Sequence, residues 1–288
     1  LESHGHTPCA PGVFLEESPW LNLLLSPTPV RYERQQPLDP QRFVYLDGCV
    51  RREAPYVVPD FPRHNDAPLI YLSFGSLGAA DVTMMKRLIE MAASLPYRFL
   101  INVGAYRAQY DNVPDNVYLD SWFPQPAVLR ECQLFIYHGG NNSFCEALYF
   151  GLPSVIIPYC WDGHDNARRA EEVGVGRYLP RFADPLGQLP EAIGQLLGDQ
   201  AMAQRLQLAE PAFGTGKDRA LEGDALFAQP HRLLRRVAAQ ALLARPAKAA
   251  LATQFIEGRG VEVEVVRLRL RLQRLQNEQV RERLDHLG

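Results

Sequence analysis

Short apolar runs alternate with longer amphipathic segments from residue 66 to residue 180, and this alternation restricts the fold more than any other feature of the sequence. The runs are rich in β-branched and aromatic side chains, and they lack the polar–apolar alternation of a half-exposed strand. They are PLIYLSF (68–74), YRFLINV (97–103), NVYLDSW (116–122), CQLFIYH (132–138) and PSVIIP (153–158). Such runs predict the strands of a parallel sheet that is buried on both faces.

Three helices are predicted between these strands. In residues 81–95, four apolar side chains at helical spacing form one stripe: Met84, Leu88, Met91 and Leu95. Segments 143–151 and 165–174 end on Gly151 and Gly174, and glycine is common just beyond a helix C-terminus. Because repeated strand–helix–strand units cross over with the right hand, we expect an α/β fold with a Rossmann-like, doubly wound parallel sheet.

The composition changes along the chain and predicts four parts. Residues 1–65 are rich in proline and predict extended segments and turns, and residues 66–183 hold the strand–helix repeats. Residues 184–245 are rich in Leu, Ala and Gln, and we expect them to be helical. Residues 246–288 form a tail in which a strand-like alternation precedes a helical pattern, and the sequence assigns it no function.

Charge and cysteine usage narrow the functional classes. The net charge of −3, from 30 Lys and Arg against 33 Asp and Glu, gives no basic field for nucleic acid. No apolar run has the length of a membrane span, and the N-terminal sequence does not resemble a secretory signal. The five cysteines include no C-x-x-C pair, so we expect reduced thiols in a cytoplasmic protein.

The segment HGGNNSFCEALYFG predicts a strand end, a tight glycine turn and the start of a helix. A helix N-terminus presents unpaired backbone N–H groups and the positive end of the helix dipole, which together favour an anion. Gly139 and Gly140 allow close approach of a phosphate to the backbone, while Asn142 and Ser143 add side-chain donors. His138 ends its strand at the carboxyl edge, where ligands bind in open α/β sheets.

A capping box formed by Ser143 and Glu146 is an alternative that needs no ligand. The neighbouring strand ends favour a ligand, because Trp122 offers a flat ring for a base and Gln125 a paired donor and acceptor. Polar side chains also follow the next predicted strand: Asp162, His164, Asp165 and Asn166. A metal cluster in this last loop is disfavoured, since no second set of metal ligands accompanies it.

In this order, the motifs resemble the nucleotide-sugar signature of the UDP-glycosyltransferases. They are W-F-P-Q (122–125), H-G-G-N-N-S-x-x-E-A (138–147), G-L-P (151–153), P-x-x-x-D (158–162) and N-A (166–167). The resemblance covers about residues 66–180 and is weaker elsewhere. It implies the C-terminal, donor-binding half of a two-domain GT-B fold, in an inverting enzyme that uses a UDP-sugar as co-substrate and no metal or other cofactor.

The resemblance also implies which residues bind the diphosphate. Asn142, Ser143 and the Gly140 backbone would hold the α-phosphate, and His138 and Ser76 would hold the β-phosphate. The β-phosphate contacts would stabilise the charge that builds on the departing diphosphate.

The nucleoside and the sugar are assigned in the same way. Trp122 would stack on uracil, Gln125 would form a hydrogen bond near the base, and Glu146 would bind the ribose hydroxyls. Asp162 would bind hydroxyls of the transferred sugar, although a helix-capping carboxylate is the alternative at that position. UDP is preferred over dTDP on the likeness of Trp122 and Gln125 alone.

Two departures from the family pattern affect the prediction. Gly163 stands where the family usually has glutamine, so one sugar contact is missing and glucose is in doubt; neither His164 nor Asp165 aligns with a family sugar contact. The family also carries an N-terminal acceptor domain with a catalytic histidine, whereas residues 1–65 here resemble only the last strand of such a domain and the linker that follows it. His4 and His6 follow no strand, so the catalytic base is left unknown.

The sequence therefore predicts a glycosyltransferase, or its donor-binding part, that transfers a sugar from a UDP-sugar to a hydroxyl of a small-molecule acceptor with inversion. A non-catalytic nucleotide-sugar-binding module, which needs a partner chain to supply the acceptor domain, is the alternative from another class. A nucleotide-sugar epimerase is disfavoured, since its helix-start pattern differs.

Overall fold

The computed structural model describes residues 17–46, 50–51 and 53–209, all of which belong to the first of two compact units in the chain. The predicted tail at 246–288, and the part of the predicted helical region beyond residue 209, lie outside the described residues. Within the described residues, no helix is long and apolar enough to cross a membrane.

Strands β1 (Asn22–Leu25) and β2 (Phe43–Leu46) form a small sheet with parallel pairing. A short 3₁₀ turn at Thr28–Val30 lies between them and buries Val30. The prolines of this region predict extended segments and turns, and the structure adds the pairing of two such segments.

Six parallel strands form the main sheet. They are β3 (Leu69–Ser73), β4 (Arg98–Asn102), β5 (Val117–Asp120), β6 (Leu134–Tyr137), β7 (Ser154–Ile156) and β8 (Gly176–Tyr178). Their spatial order is β5-β4-β3-β6-β7-β8. Counted within this sheet, with β3 as strand 1 and β8 as strand 6, this is the 3-2-1-4-5-6 order of a doubly wound sheet. The order reverses between β3 and β6, so the carboxyl ends of these two strands open onto the crevice in which such folds bind ligands.

Seven helices accompany the main sheet in the described residues. They are α1 (Gly75–Ala79), α2 (Val82–Ala93), α3 (Gln125–Glu131), α4 (Asn141–Tyr149), α5 (Asp162–Glu172), α6 (Pro185–Gly198) and α7 (Gln200–Ala209). Helix α2 packs against α6, whereas α4 packs against α3, α5 and α7. The sheet and these helices confirm the predicted α/β class.

The two central strands are buried along their whole length, as expected of a sheet covered on both faces. Aromatic rings fill the space beside them. Phe135 stacks on Tyr71 with ring centroids 5.3 Å apart and on Tyr137 at 4.4 Å, and Phe123 meets Tyr71 edge to face at 5.6 Å. Because Phe123 follows β5, this contact fixes the start of the loop that leads into α3.

Several predicted boundaries differ from the structure. Helix α4 begins at Asn141, so the expected GGNN turn is wrong in its second half, and α5 begins at Asp162 instead of residue 165. Asparagine and aspartate are common before helices as well as in their first turn, and the sequence pattern alone does not separate the two positions. Trp122 does not end β5, which stops at Asp120, but lies in the loop that follows.

The buried face of α2 is also shifted from the predicted stripe. Met84 and Leu88 are buried as expected, but Met91 is only half-buried, and Leu95 lies beyond the end of the helix at Ala93. The remaining buried positions are Met85, Ile89 and Ala92. The buried residues thus fall at i, i+4 and i+8, together with the residues next to them. With 3.6 residues per turn, the buried face of a helix is a broad stripe and not a single row of side chains.

Candidate functional site

The loop after β3 and the loop after β6 meet at the point where the strand order reverses. A Cβ built on Gly75 would lie 3.2 Å from Cε1 of His138, and one built on Gly140 would lie 2.6 Å from its Nε2. The imidazole therefore sits between two glycines from different loops, and neither position has room for a larger residue. Burial lowers the pKa of His138, although the backbone of Ser73 and the charge of Asp162 raise it.

The first turn of α4 has no side-chain cap from its own N-cap residue. That residue is Gly140, and Ser143 is the third residue of the helix, where its hydroxyl accepts a 3.0 Å hydrogen bond from Nε2 of Gln125. The capping box is therefore wrong, because its serine would have to precede the helix. Asn142 is exposed and Ser143 is half-buried at this helix end.

Two glycines bring the start of α5 against the loop before α4. Gly139 has a φ of +86°, and a Cβ there would lie 2.5 Å from the carbonyl oxygen of Gly163. A Cβ on Gly163 would in turn lie 2.6 Å from the carbonyl oxygen of His138. Asn166 donates a 2.8 Å hydrogen bond to the Gly139 carbonyl across the same contact. Close packing against the backbone of His138 therefore explains why position 163 holds glycine, independently of sugar binding.

This close approach places Asp162 at the N-terminus of a neighbouring helix. Its Oδ2 accepts a 2.9 Å hydrogen bond from the backbone N–H of Asn141, the first residue of α4. The carboxylate is exposed and lies beside the predicted phosphate site. Asp162 therefore caps a helix, which was the alternative to a sugar contact. The helix that it caps is α4, although Asp162 itself lies in α5. A contact between Asp162 and the sugar stays a prediction.

Gln125 and Glu146 form the nucleoside side of the predicted site. Nε2 of Gln125 donates to Oε2 of Glu146 at 2.5 Å as well as to Ser143, so the start of α3 is bonded to the middle of α4. Glu146 is only 5% exposed. Burial raises the pKa of this carboxyl, the hydrogen bond from Gln125 and the charge of Arg51 lower it, and Glu53 raises it.

Arg51 is a member of this cluster that the motifs do not include. Its Nη1 lies 3.7 Å from Oε1 of Glu146, and its Nε donates a 2.6 Å hydrogen bond to Glu53. Arg51 precedes β3 by many residues, and no spacing rule links it to the α4 motif. The only clue to Arg51 is physical: a buried carboxylate such as that of Glu146 is expected to have a cation nearby.

Trp122 and Ser76 are less closely connected to the others. Trp122 is 63% exposed in the loop between β5 and α3, three residues before Gln125. Ser76 is exposed at the second position of α1, next to Gly75. No hydrogen bond within the described ranges joins either side chain to the other predicted donor-binding residues. Trp122 and Ser76 thus have exposed side chains at the same edge of the sheet. The other predicted residues that the structure brings into contact there are Gln125, His138, Gly140, Ser143, Glu146 and Asp162.

The described residues contain no group of three His, Cys, Asp or Glu side chains that could hold a metal ion. The segment DGHDN forms the first turn of α5, with the side chains of Asp162, His164 and Asp165 exposed.

Comparison with solved structures defines the class. The fold matches the glycotransferase of kitacinnamycin with a TM-score of 0.62 at 23% sequence identity, covering 75% of this chain and 54% of that one. Together with the 3-2-1-4-5-6 sheet and the loops that meet at its switch point, this match shows that the described region has the fold of one half of a GT-B glycosyltransferase.

Sequence comparisons identify the proteins that this chain resembles. Residues 86–214 match the family described as erythromycin biosynthesis protein CIII-like, C-terminal domain. The NDP-glycosyltransferase YjiC of Bacillus subtilis (strain 168) is 31% identical over 145 residues, which are 50% of this chain and 37% of that protein. The ecdysteroid UDP-glucosyltransferase of Spodoptera littoralis nuclear polyhedrosis virus is 31% identical over 158 residues, 52% of this chain and 31% of that protein. The resemblance to the UDP-glycosyltransferases is thereby confirmed, and the chain spans less than half the length of either relative.

Proposed function

We propose that this chain is the donor-binding part of a glycosyltransferase that transfers a sugar from a UDP-sugar to a hydroxyl of a small-molecule acceptor with inversion. The observation that carries the proposal is the cluster at the switch point, where loops after β3, β6 and β7 meet beside the N-terminus of α4. Such a helix end favours a diphosphate because the first backbone N–H groups of a helix have no partner within it.

The diphosphate would lie between the start of α4 and the imidazole of His138. Ser143, Asn142 and the Gly140 backbone would bind the α-phosphate, and His138 with Ser76 would bind the β-phosphate. Burial lowers the pKa of the imidazole and so favours its neutral form, in which the ring would donate a hydrogen bond without carrying a full charge.

The nucleoside would extend from α4 towards α3. Glu146 would accept hydrogen bonds from the ribose hydroxyls, with its orientation fixed by Gln125. The exposed indole of Trp122 offers a flat face for the uracil ring. Asp162 would bind the transferred sugar from the opposite side of the diphosphate, where its carboxylate already lies beside the α4 terminus.

Inversion follows from direct displacement at the anomeric carbon. The acceptor oxygen would attack from the face opposite the diphosphate, the bond between the anomeric carbon and the β-phosphate oxygen would break, and a base would take the acceptor proton. The α4 terminus and His138 would stabilise the charge that develops on the leaving diphosphate. We expect the base and the acceptor cleft in an N-terminal domain, and we expect the reaction to need no metal. A cytoplasmic location stays a prediction from cysteine usage.

Calorimetric titration of the chain with UDP and with dTDP tests the donor site. We expect UDP to bind and Trp122→Ala to weaken binding about 5- to 150-fold, since stacking of a base on an aromatic ring contributes about 1–3 kcal/mol. Glu146→Ala should have an effect of similar size, because hydrogen bonds to a charged group contribute about 1.5–3 kcal/mol. Trp20→Ala and Glu191→Ala, which change exposed residues outside the cluster, are the matched controls.

Unchanged affinity in both Trp122→Ala and Glu146→Ala would remove these residues from the site. A transfer assay with the same chain then separates the two functional classes. Turnover of a UDP-sugar in the presence of a hydroxylated acceptor supports an enzyme, whereas binding without turnover is the result for a nucleotide-sugar-binding module that needs an acceptor domain from elsewhere.

A further inference from the structure

Arg51 reaches the buried carboxylate of Glu146 from a segment that lies far from it in sequence. Its Nη1 is 3.7 Å from Oε1 of Glu146, while Oε2 of the same carboxylate accepts the hydrogen bond from Gln125. The two carboxylate oxygens therefore face different partners, one an amide and the other a cation. The guanidinium is 55% exposed although the carboxylate side chain is 6% exposed, so the pair lies at an opening to solvent.

A second acidic side chain fixes the orientation of the guanidinium. Nε of Arg51 donates to Oε1 of Glu53 at 2.6 Å, which uses one edge of the planar group and leaves Nη1 directed at Glu146. A long arginine side chain loses conformational entropy when it is held in one position. The bond to Glu53 reduces that cost for the contact with Glu146.

The spacing between Arg51 and Glu146 leaves the carboxylate able to accept further hydrogen bonds. At 3.7 Å the two groups attract each other through their charges without a short hydrogen bond between them. Hydroxyl groups that approach from solvent can therefore bond to Oε1 while the cation stays beside it. A vicinal diol such as ribose carries two donors at the spacing of a carboxylate.

We propose that Arg51 is a positioning residue for the donor, which keeps Glu146 charged and oriented while the ribose hydroxyls bind to it. The inference rests on the proposed function and adds a residue that the signature motifs do not contain. Arg51 acts through Glu146 and is not a catalytic residue.

Ligand binding makes this role more important than it is in the empty site. The ribose covers the carboxylate and removes it from water, and the diphosphate adds negative charge nearby, so both effects favour the protonated carboxyl. Arg51 opposes both effects. Gln125 and Arg51 lower the pKa of Glu146, and Glu53 raises it. The buried Tyr71 is also near: its pKa is raised mainly by burial and further by the charge of Glu146.

The test is a double-mutant cycle on UDP affinity, measured by calorimetry over a range of pH. Arg51→Met keeps the aliphatic length of the side chain and removes its charge, and we expect it to weaken UDP binding about three- to fivefold. In a Glu146→Gln background the same change should have less than about a twofold effect, because the charge on which Arg51 acts is gone. Arg51→Lys should restore part of the affinity, and Arg34→Met, an exposed arginine between β1 and β2, is the matched control.

The pH profile provides a readout that a purely structural role would not change. UDP affinity should fall as the pH decreases through the pKa of Glu146, and Arg51→Met should move this fall to higher pH. Because Arg51 is exposed, we expect the variant to keep the thermal unfolding midpoint of the unmodified chain.

Three results distinguish the possible failures. If the unmodified chain does not bind UDP or dTDP, the proposed function fails and this inference fails with it. If UDP binds and Arg51→Met has the same affinity and pH profile as the unmodified chain, the inference alone is refuted. If Arg51→Met causes the same loss of affinity in the unmodified and in the Glu146→Gln backgrounds, Arg51 contacts the ligand directly, which also contradicts the proposed role.

Discussion

Replacement of Gly163 by alanine tests whether close backbone packing, and not only the loss of a sugar contact, explains the glycine at this position. The new Cβ would lie 2.6 Å from the carbonyl oxygen of His138 and 3.4 Å from Cβ of Pro158. Ordinary carbon–oxygen contacts are about 3.3 Å or longer, so the start of α5 has to move by several tenths of an ångström. Overpacking of this kind costs about 1–3 kcal/mol, offset by about 0.5–1 kcal/mol for the lower chain entropy of alanine.

We therefore expect Gly163→Ala to lower the free energy of unfolding by about 0.5–2 kcal/mol in denaturant titrations. Gly194→Ala is the matched control, because Gly194 lies in α6 and nothing lies within 4 Å of the position that its Cβ would take. The change at Gly194 should stabilise the chain by up to about 1 kcal/mol. Equal effects of the two substitutions would refute the packing argument. Loss of UDP affinity in Gly163→Ala, measured in parallel, would report the displacement of Asp162 from the α4 terminus.

Three further predictions concern other contacts of the described region. Gln125→Leu removes both hydrogen bonds to Ser143 and Glu146, and should lower the free energy of unfolding by about 1–3 kcal/mol in denaturant titrations. The pKa of His138 is lowered from its ordinary value of 6.5, so the unfolded chain binds the proton more tightly and the free energy of unfolding should fall as the pH decreases below about 6.5. His138→Asn should make the free energy of unfolding depend less on pH in this range. Arg169 donates to the carbonyl oxygens of Val30 at 2.8 Å and of the next residue at 2.7 Å, and Arg169→Ala should raise amide exchange in the β1–β2 segment, with equal exchange in both proteins as the contrary result.

Five of the six strands of the main sheet were predictable, and the central ones most clearly, because a strand that is buried on both faces is a nearly continuous apolar run. The runs that contain β3 and β6 are largely apolar, and the residues of both strands are buried in the structure. Strand β8 was missed, because it has three residues, begins with Gly176 and carries the exposed Arg177, so it forms no apolar run. A three-residue edge strand is identified by its pairing with the neighbouring strand, here β7, because its own sequence is too short to show a hydrophobic pattern.

The positions of candidate site residues were predictable where they lie in one local motif. Ser143 and Glu146 lie in α4 as expected, whereas His138, predicted to end its strand, directly follows β6, which stops at Tyr137. Contacts between distant segments were not predictable. The hydrogen bond from Asn141 to Asp162 and the approach of Arg51 to Glu146 depend on how loops meet in three dimensions, and no periodicity records such contacts.

A crystal structure of the chain with UDP bound is the most direct test of the proposed donor site. We expect diphosphate oxygens within hydrogen-bond distance of Ser143 and of the imidazole of His138, the ribose hydroxyls on Glu146, and the uracil ring against Trp122. UDP bound away from the α4 terminus, or the imidazole and the indole directed to different faces of the sheet in the complex, would contradict it.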